Sequence, residues 1–193
     1  GGHTTGEEIA KDFAERAKNI SVFLTGANTG LGFQTARCLL LAGSTITITC
    51  RSQEKVDETV AKLKALALPG QVDGVAIELS SLASVRAGAE AFIKTGKPLN
   101  VLINNAGIMG CPLAHTKEGF ESQFGVNHLS HFHLTNLLLP LLQAASSRGE
   151  TARVVNVSSL GHFLMPPPHG ISLDDLQAAR SCNPWVRYGE SKL

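Results

Sequence analysis

Thr25-Gly-Ala-Asn-Thr-Gly-Leu-Gly32 lies between the apolar run Ser21-Val-Phe-Leu-Thr25 and a segment with helical spacing from Leu31 to Ala42. The run is short and apolar and ends in glycines, as a buried strand does. At a strand-to-helix turn each glycine has a separate use: Gly26 for the tight bend, Gly30 for close approach of backbone to a pyrophosphate, Gly32 for close packing of the helix on the sheet. Free amides at the helix start then face the phosphate charge. The spacing is G-x-x-x-G-x-G, and glycine is common in any turn. Its place after a first strand and before a helix favours phosphate binding.

Outward from this turn, strands and helices alternate. Thr45-Ile-Thr-Ile-Thr-Cys50 alternates in polarity and is rich in β-branched residues, so a second strand is expected. Val56, Val60, Leu63 and Ala67 fall on one face of a second helix. A strand over Gly74–Leu79, a helix over Leu82–Lys94 and a strand over Leu99–Ile103 follow. Glu118–Ala145 reads as a long helix bent or broken near Pro140, and Arg153–Val157 as a fifth strand. Gly161–Pro184, with Pro166-Pro167-Pro168, reads as loop, and a last helix as starting near Tyr188. Thr5-Gly-Glu-Glu8 has the form of a capping box, so residues 1–19 are expected to form a helical extension. The alternation calls for parallel strands with right-handed crossovers and helices on both faces, an α/β doubly wound parallel sheet (Rossmann fold) in one domain over residues 1–193.

The chain of 193 residues is 43% hydrophobic and 17% charged, with net charge +1, which gives no basic face for nucleic acid or anionic lipid. The longest apolar run, Leu137 to Leu142, is too short to span a bilayer. Cys38, Cys50, Cys111 and Cys182 are scattered, so reduced thiols are expected and neither a disulfide framework nor a zinc site. His128, His131 and His133 sit close together, but no carboxylate or thiolate accompanies them; a packing or subunit-contact face is expected and no metal. An acidic residue at the end of the second strand would hold ribose hydroxyls; that position is Cys50, followed by Arg51. A guanidinium suits a 2′-phosphate, so NADP is expected, with NAD the alternative.

Four further motifs follow the glycine turn in order: Asn104-Asn-Ala-Gly107 after the fourth strand, Asn127 in Val126-Asn-His-Leu129, Ser158-Ser159 after the fifth strand, and Tyr188-Gly-Glu-Ser-Lys192. Over nearly its whole length the chain resembles the short-chain dehydrogenase/reductase family. Thr49-Cys-Arg51, Val126-Asn-His-Leu-Ser-His131 and the long segment before Tyr188 are most similar to its retinol-dehydrogenase-like branch, which includes the WW-domain-containing oxidoreductases.

The resemblance implies hydride transfer between a nicotinamide and an alcohol or carbonyl of a hydrophobic substrate such as a retinoid, steroid or long-chain compound. It implies Tyr188 as proton donor or acceptor, Lys192 as its tuning cation and a hold on the nicotinamide ribose, Ser159 (with Ser158 its rival) as hydrogen-bond partner of the reacting oxygen, and Asn127 as support for a relay water. Tyr188 and Lys192 are four apart and share a helix face, where an ammonium favours a phenolate. For cofactor binding it implies Gly26, Asn28, Gly30, Leu31, Gly32, Arg51, Glu78, Leu79, Asn105, Ala106 and Gly107 as well as Tyr188 and Lys192. Glu78 stands where similar proteins carry Asp. His162 and His169 are candidates for the substrate mouth, and the interval from Ser159 to Tyr188, with Pro166–Pro168 and Asp174-Asp175, for a flap near the substrate opening. A non-catalytic dinucleotide sensor or scaffold of the same fold is the competing reading.

The family normally has a further strand and a substrate loop after the Tyr/Lys helix, so C-terminal strands are expected to be missing, the fifth strand to be an exposed edge, and the chain by itself to be inactive. A homo-oligomer and a cytoplasmic or membrane-associated intracellular location are expected. A peroxisomal location is the alternative, should Ser191-Lys192-Leu193 act as an address.

Overall fold

The five strands Ser21–Thr25 (β1), Thr45–Cys50 (β2), Gln71–Ala76 (β3), Val101–Asn104 (β4) and Arg153–Asn156 (β5) form one sheet in the order β3-β2-β1-β4-β5, every pairing parallel. This is a computed structural model, and it describes residues 3–150, 152–180 and 183–193. Strand order reverses at β1, so the chain leaves β1 and β4 toward opposite faces of the sheet and a crevice forms at their carboxyl ends. Cys182 lies outside the described residues; Cys38, Cys50 and Cys111 are free thiols.

The alternation of β1 explains the two-layered cover. Val22 and Leu24 face one side and pack with Ile46, Ile48, Leu40, Val56 and Leu63, beneath Gly30–Leu41 (α3) and Gln53–Lys64 (α4). Phe23 faces the other side and packs with Val85, Phe92, Leu102, Leu134 and Leu138, beneath Leu82–Lys94 (α5) and a long helix, Ser130–Ser147. Every residue of β1 is buried, which a strand covered on both faces requires. The N-terminal extension forms Gly6–Asp12 (α1, with Thr5 and Glu8 in a capping box) and Ala14–Ala17 (α2). It docks on α3 through Glu7 and Arg37, 2.5 Å apart.

Three boundaries differ from the periodicity. β3 starts three residues before Gly74, because β2 pairs it from Gln71 to Ala76 and stops at Cys50; Ile77-Glu78-Leu79 then run beyond the sheet. The helix expected from Glu118 begins only at Ser122, since Gly119 turns with φ +86° and the Glu121 carboxylate caps the amides of Gln123 and Phe124. Ser122–Phe124 (α6) leads through a π-turn, Gly125–Leu129, into Ser130–Ser147 (α7). Pro140 does not break α7. It lies on the exposed side, where water can satisfy the carbonyl it deprives, while Leu134, Leu138 and Leu142 hold the buried side.

The last helix, Pro184–Lys192 (α9), starts four residues before Tyr188, with Asn183 as side-chain cap and Pro184 in its first turn. Before it, Gly161–Leu164 (α8) and a 3₁₀ turn at Leu173–Asp175 interrupt the expected loop. α9 packs so closely on this segment that a Cβ on Gly189 would lie 2.7 Å from the Met165 Cβ and 2.8 Å from the Pro166 nitrogen. β5 pairs only with β4 among the described strands, and Val154 and Val155 on it are 38% and 42% exposed. An unpaired apolar edge of this kind is a site for edge-to-edge association.

Candidate active site

The glycine turn is a cradle open on one side. A Cβ on Gly26 would lie 2.7 Å from the Ala106 Cα, and one on Gly32 would lie 2.1 Å from the Gly26 carbonyl oxygen, so neither position admits a side chain. Gly30 has φ +56° and nothing within 4 Å of where its Cβ would be. Ser52, Ser81 and Asn183 cap α4, α5 and α9 through their side chains, whereas the Thr29 side chain caps nothing at the start of α3. Beside it Asn28, Gly30 and Leu31 are exposed. Uncapped amides next to open space and a tight backbone are what a phosphate needs.

Asn104-Asn-Ala-Gly107 abuts this cradle. The Thr25 hydroxyl accepts the amides of Asn105 (2.9 Å) and Ala106 (3.0 Å). The Asn105 side-chain amide donates to the carbonyls of Thr25 (2.8 Å) and Gly26 (3.1 Å), so its donors hold the glycine turn. Gly107 then lies between two catalytic candidates: its Cβ would be 3.3 Å from both Asn127 Oδ1 and Lys192 Nζ.

Asn127 sits in the π-turn. Its Oδ1 accepts the Ile108 amide, and its Nδ2 donates to the Ile108 carbonyl and to Ser191 Oγ, each at 2.9 Å. Both side-chain hydrogens are thereby committed. Lys192 Nζ donates to the Val157 carbonyl at 3.0 Å and lies 6.0 Å from the centroid of the Tyr188 ring. Burial lowers its pKa from the ordinary lysine value.

Tyr188 is buried apart from its hydroxyl, which bonds no group among the described residues and stays open to solvent. Gly161 separates it from the serine pair: a Cβ there would lie 2.9 Å from Tyr188 Cε1 and 3.3 Å from Ser159 Oγ. Ser159 Oγ accepts the Gly161 amide, while Ser158 Oγ donates to the Lys192 carbonyl at 2.8 Å. Ser159 therefore faces the tyrosine, and Ser158 ends α9.

The nucleotide-selecting end lies along β2. Cys50 is 4% exposed, its thiol turned to Thr59 at 3.7 Å and pushed up in pKa by burial. Arg51 is exposed, and no salt bridge to it is formed among the described residues. The Glu78 carboxylate accepts the Ser80 amide at 3.0 Å, and the Leu79 carbonyl accepts the Ser130 hydroxyl. A cleft of 320 Å³ lined by Asn127, His131, Asn156, Ser158, Ser191 and Lys192 among others opens beside the catalytic candidates. A second cleft, along Leu40, Leu63, Leu68, Gly70 and Gln71, lies at the other end of the sheet and holds none of them.

The three helix histidines separate in their surroundings. His128 stacks on Phe124 with ring centroids 5.1 Å apart, and among the described residues no group of three or more His, Cys, Asp or Glu could hold a metal. His131 is 5% exposed, and its pKa is lowered to about 4. Burial is the chief cause, opposed by a bond to the Asn127 carbonyl and reinforced by Lys192 and His128. The unfolded chain then takes up the histidine proton first as pH falls. Stability from this group is intact above pH ~6.5 and is lost toward pH 4, with a slope of up to ~1.4 kcal/mol per pH unit. Thermal midpoints from pH 7.5 to 4.5 should fall more steeply for the wild type than for His131→Gln; parallel slopes would count against a neutral buried imidazole.

Sequence reading passed over Thr25 as a side chain, Gln123, Ser191 and His131. Gln123 Oε1 accepts the Gly110 amide (2.8 Å), and its Nε2 donates to the Pro184 carbonyl (2.9 Å), tying the loop after Gly107 to α9. Nothing local in the sequence marks it, because its partners lie 13 and 61 positions away.

The family model for short chain dehydrogenase matches residues 20–171. Human polyprenol dehydrogenase is 38% identical over 181 residues, covering 94% of this chain and 53% of that protein. Mouse retinol dehydrogenase 12 is 43% identical over 172 residues, covering 89% and 52%. The crystal structure of an uncharacterized protein from Mycobacterium paratuberculosis matches with TM-score 0.75 and 41% identity over 95% of this chain and 60% of that one. The NADP complex of Pseudomonas aeruginosa RhlG matches with TM-score 0.69 and 30% identity over 91% and 62%. The chain thus spans about half the length of the curated relatives it matches. With the glycine turn, the N-N-A-G turn, the serine pair and the Tyr/Lys helix converging at the carboxyl ends of β1, β4 and β5, the chain belongs to the short chain dehydrogenase family.

Proposed function

We propose that the chain carries the cofactor site and the catalytic group of an NADP-dependent oxidoreductase acting on an alcohol or carbonyl of a hydrophobic substrate. The observation that carries this reading is the position of Gly107, between Asn127 and Lys192 and next to Ala106, which abuts Gly26. Gly26, Gly30, Gly32 and the amides opening α3 would hold the pyrophosphate, Arg51 a 2′-phosphate, and Lys192 the nicotinamide ribose. Hydride exchange is the chemistry a bound nicotinamide supplies.

The chain's own residues manage the proton. In the reducing direction the Tyr188 hydroxyl, which has no partner among the described residues, gives its proton to the substrate oxygen; in oxidation the phenolate takes it back. The Lys192 ammonium favours that phenolate. Ser159 already accepts the Gly161 amide, so its own proton is free for the reacting oxygen. With both amide hydrogens spent, Asn127 clamps Ile108 against Ser191, and a relay water has only its oxygen atoms to bind. Leu160, Phe163, Leu164 and Trp185, on the segments next to Ser159 and Tyr188, and Met109 and Leu113, on the loop after Gly107, are all 48% to 76% exposed, which supports an apolar substrate.

The test is nucleotide affinity measured by fluorescence. The chain should bind NADPH more tightly than NADH. Arg51→Ala should weaken NADPH by about 10- to 100-fold, the effect of losing hydrogen bonds to a charged group, and leave NADH within about twofold. Equal losses for both nucleotides would remove the NADP assignment.

A further inference from the structure

His131 lies one turn after Asn127 and joins three motifs that are far apart in sequence. Its Nδ1 is 3.0 Å from the Asn127 carbonyl oxygen and its Nε2 is 2.9 Å from Thr25 Oγ1. A carbonyl oxygen can only accept, so Nδ1 carries the proton and Nε2 is the acceptor. The Thr25 hydroxyl must then donate to Nε2. That hydroxyl has one proton and two lone pairs, and the lone pairs already receive the Asn105 and Ala106 amides. The rival acceptor for its proton, the Ile103 carbonyl, is at 3.4 Å, too long to compete with 2.9 Å.

The bonds therefore run in one direction, from the Asn105 and Ala106 amides through Thr25 and His131 to Asn127. Asn127 closes the circuit by bonding both the amide and the carbonyl of Ile108. Together with the backbone from Ala106 to Ile108, these bonds through Thr25, His131 and Asn127 close a ring that contains Gly107, the residue beside Lys192 Nζ. We propose that His131 is a positioning residue, neutral and Nδ1-protonated, which closes this ring and so fixes the N-N-A-G turn at the distance from the glycine turn that a bound dinucleotide requires. The inference rests on the cofactor reading above, and His131 itself touches no cofactor.

Two isosteres open the ring at different points. His131→Asn keeps an amide donor where Nδ1 stands and loses Thr25; His131→Gln reaches Thr25 and loses the donor to Asn127. NADPH affinity and the thermal midpoint without nucleotide are measured for the 193-residue chain and both variants, with ¹⁵N NMR of the wild-type histidine rings. The expected result is a wild-type His131 in the Nδ1-protonated tautomer, unchanged from pH 6 to 8. Each variant should lose at least tenfold in NADPH affinity at pH 7.5, out of proportion to any change in its thermal midpoint. A purely structural histidine would lower the midpoint and leave nucleotide affinity of the folded fraction alone. An Nε2-protonated wild-type ring would overturn the proposal, as would variants that bind NADPH like the wild type. Failure of the wild type to bind NADPH would overturn the cofactor reading first, and the NMR result would still judge the ring.

Discussion

Tyr188→Phe should lower turnover by a factor of at least ~10³ and leave NADPH binding within about twofold. The selectivity follows from how the ring is held. Tyr188 is 8% exposed, and its ring packs so closely on Gly161 that a Cβ there would clash with it, so phenylalanine fills the same space. The hydroxyl bonds no protein group among the described residues, so its removal strands no partner and costs the fold little. What disappears is the proton that the substrate oxygen must exchange. Turnover is read with NADPH and an apolar carbonyl in a chain extended to the length of its relatives; binding is read on the 193 residues. A residual rate above one tenth of wild type would remove Tyr188 from the proton-transfer role. Parallel loss of turnover and NADPH affinity would mean that the ring holds the nucleotide and would leave the scaffold reading ahead.

The order in which the site assembles was legible wherever a residue type has one steric or chemical reason to stand there. Glycines at positions 26, 30 and 32 after an apolar run announce a turn that no side chain could enter, and the contacts at Gly26 and Gly32 are of that kind. Tyr188 and Lys192 announce a shared helix face. The parallel sheet follows from alternation of strand and helix patterns, because such strands need crossovers.

What escaped was the set of interactions that depend on a partner distant in sequence. His131 looked like one of three histidines on a helix; its meaning lies in Thr25, 106 positions away. The β3 boundary escaped because Gln71 and Asp73 are polar, and only the length of β2 brings them into the sheet. The start of α9 was a local signal passed over, since Asn183-Pro184 is a cap followed by a residue suited to the first helical turn. Residues 161–180 read as loop because much of what holds them is buried charge rather than apolar periodicity.

That buried charge leads to the second large effect. Arg187→Met should lower the thermal midpoint on the order of 10 °C, the shift expected for breaking a buried ion pair in a chain of this size. Arg187 lies between two carboxylates, Asp175 at 2.5 Å and Glu190 at 3.1 Å, and side chains of all three are 7% exposed or less. Glu190 also accepts the amide (3.1 Å) and hydroxyl (2.7 Å) of Ser172, and Asp175 accepts the Ala179 amide at 2.8 Å. The guanidinium thus pins the 3₁₀ turn to α9, one residue before Tyr188. Methionine replaces its volume and leaves two buried carboxylates with no cation between them. Neutralising both as well, in Arg187→Met/Asp175→Asn/Glu190→Gln, should recover much of the loss, because the penalty comes from uncompensated charge rather than from the missing attraction. Limited proteolysis should report the same event locally, with cleavage between Met165 and Arg180 appearing in the single variant and receding in the triple one. An unchanged midpoint and an uncut segment in Arg187→Met would show that the buried charge does not hold residues 161–180 in place.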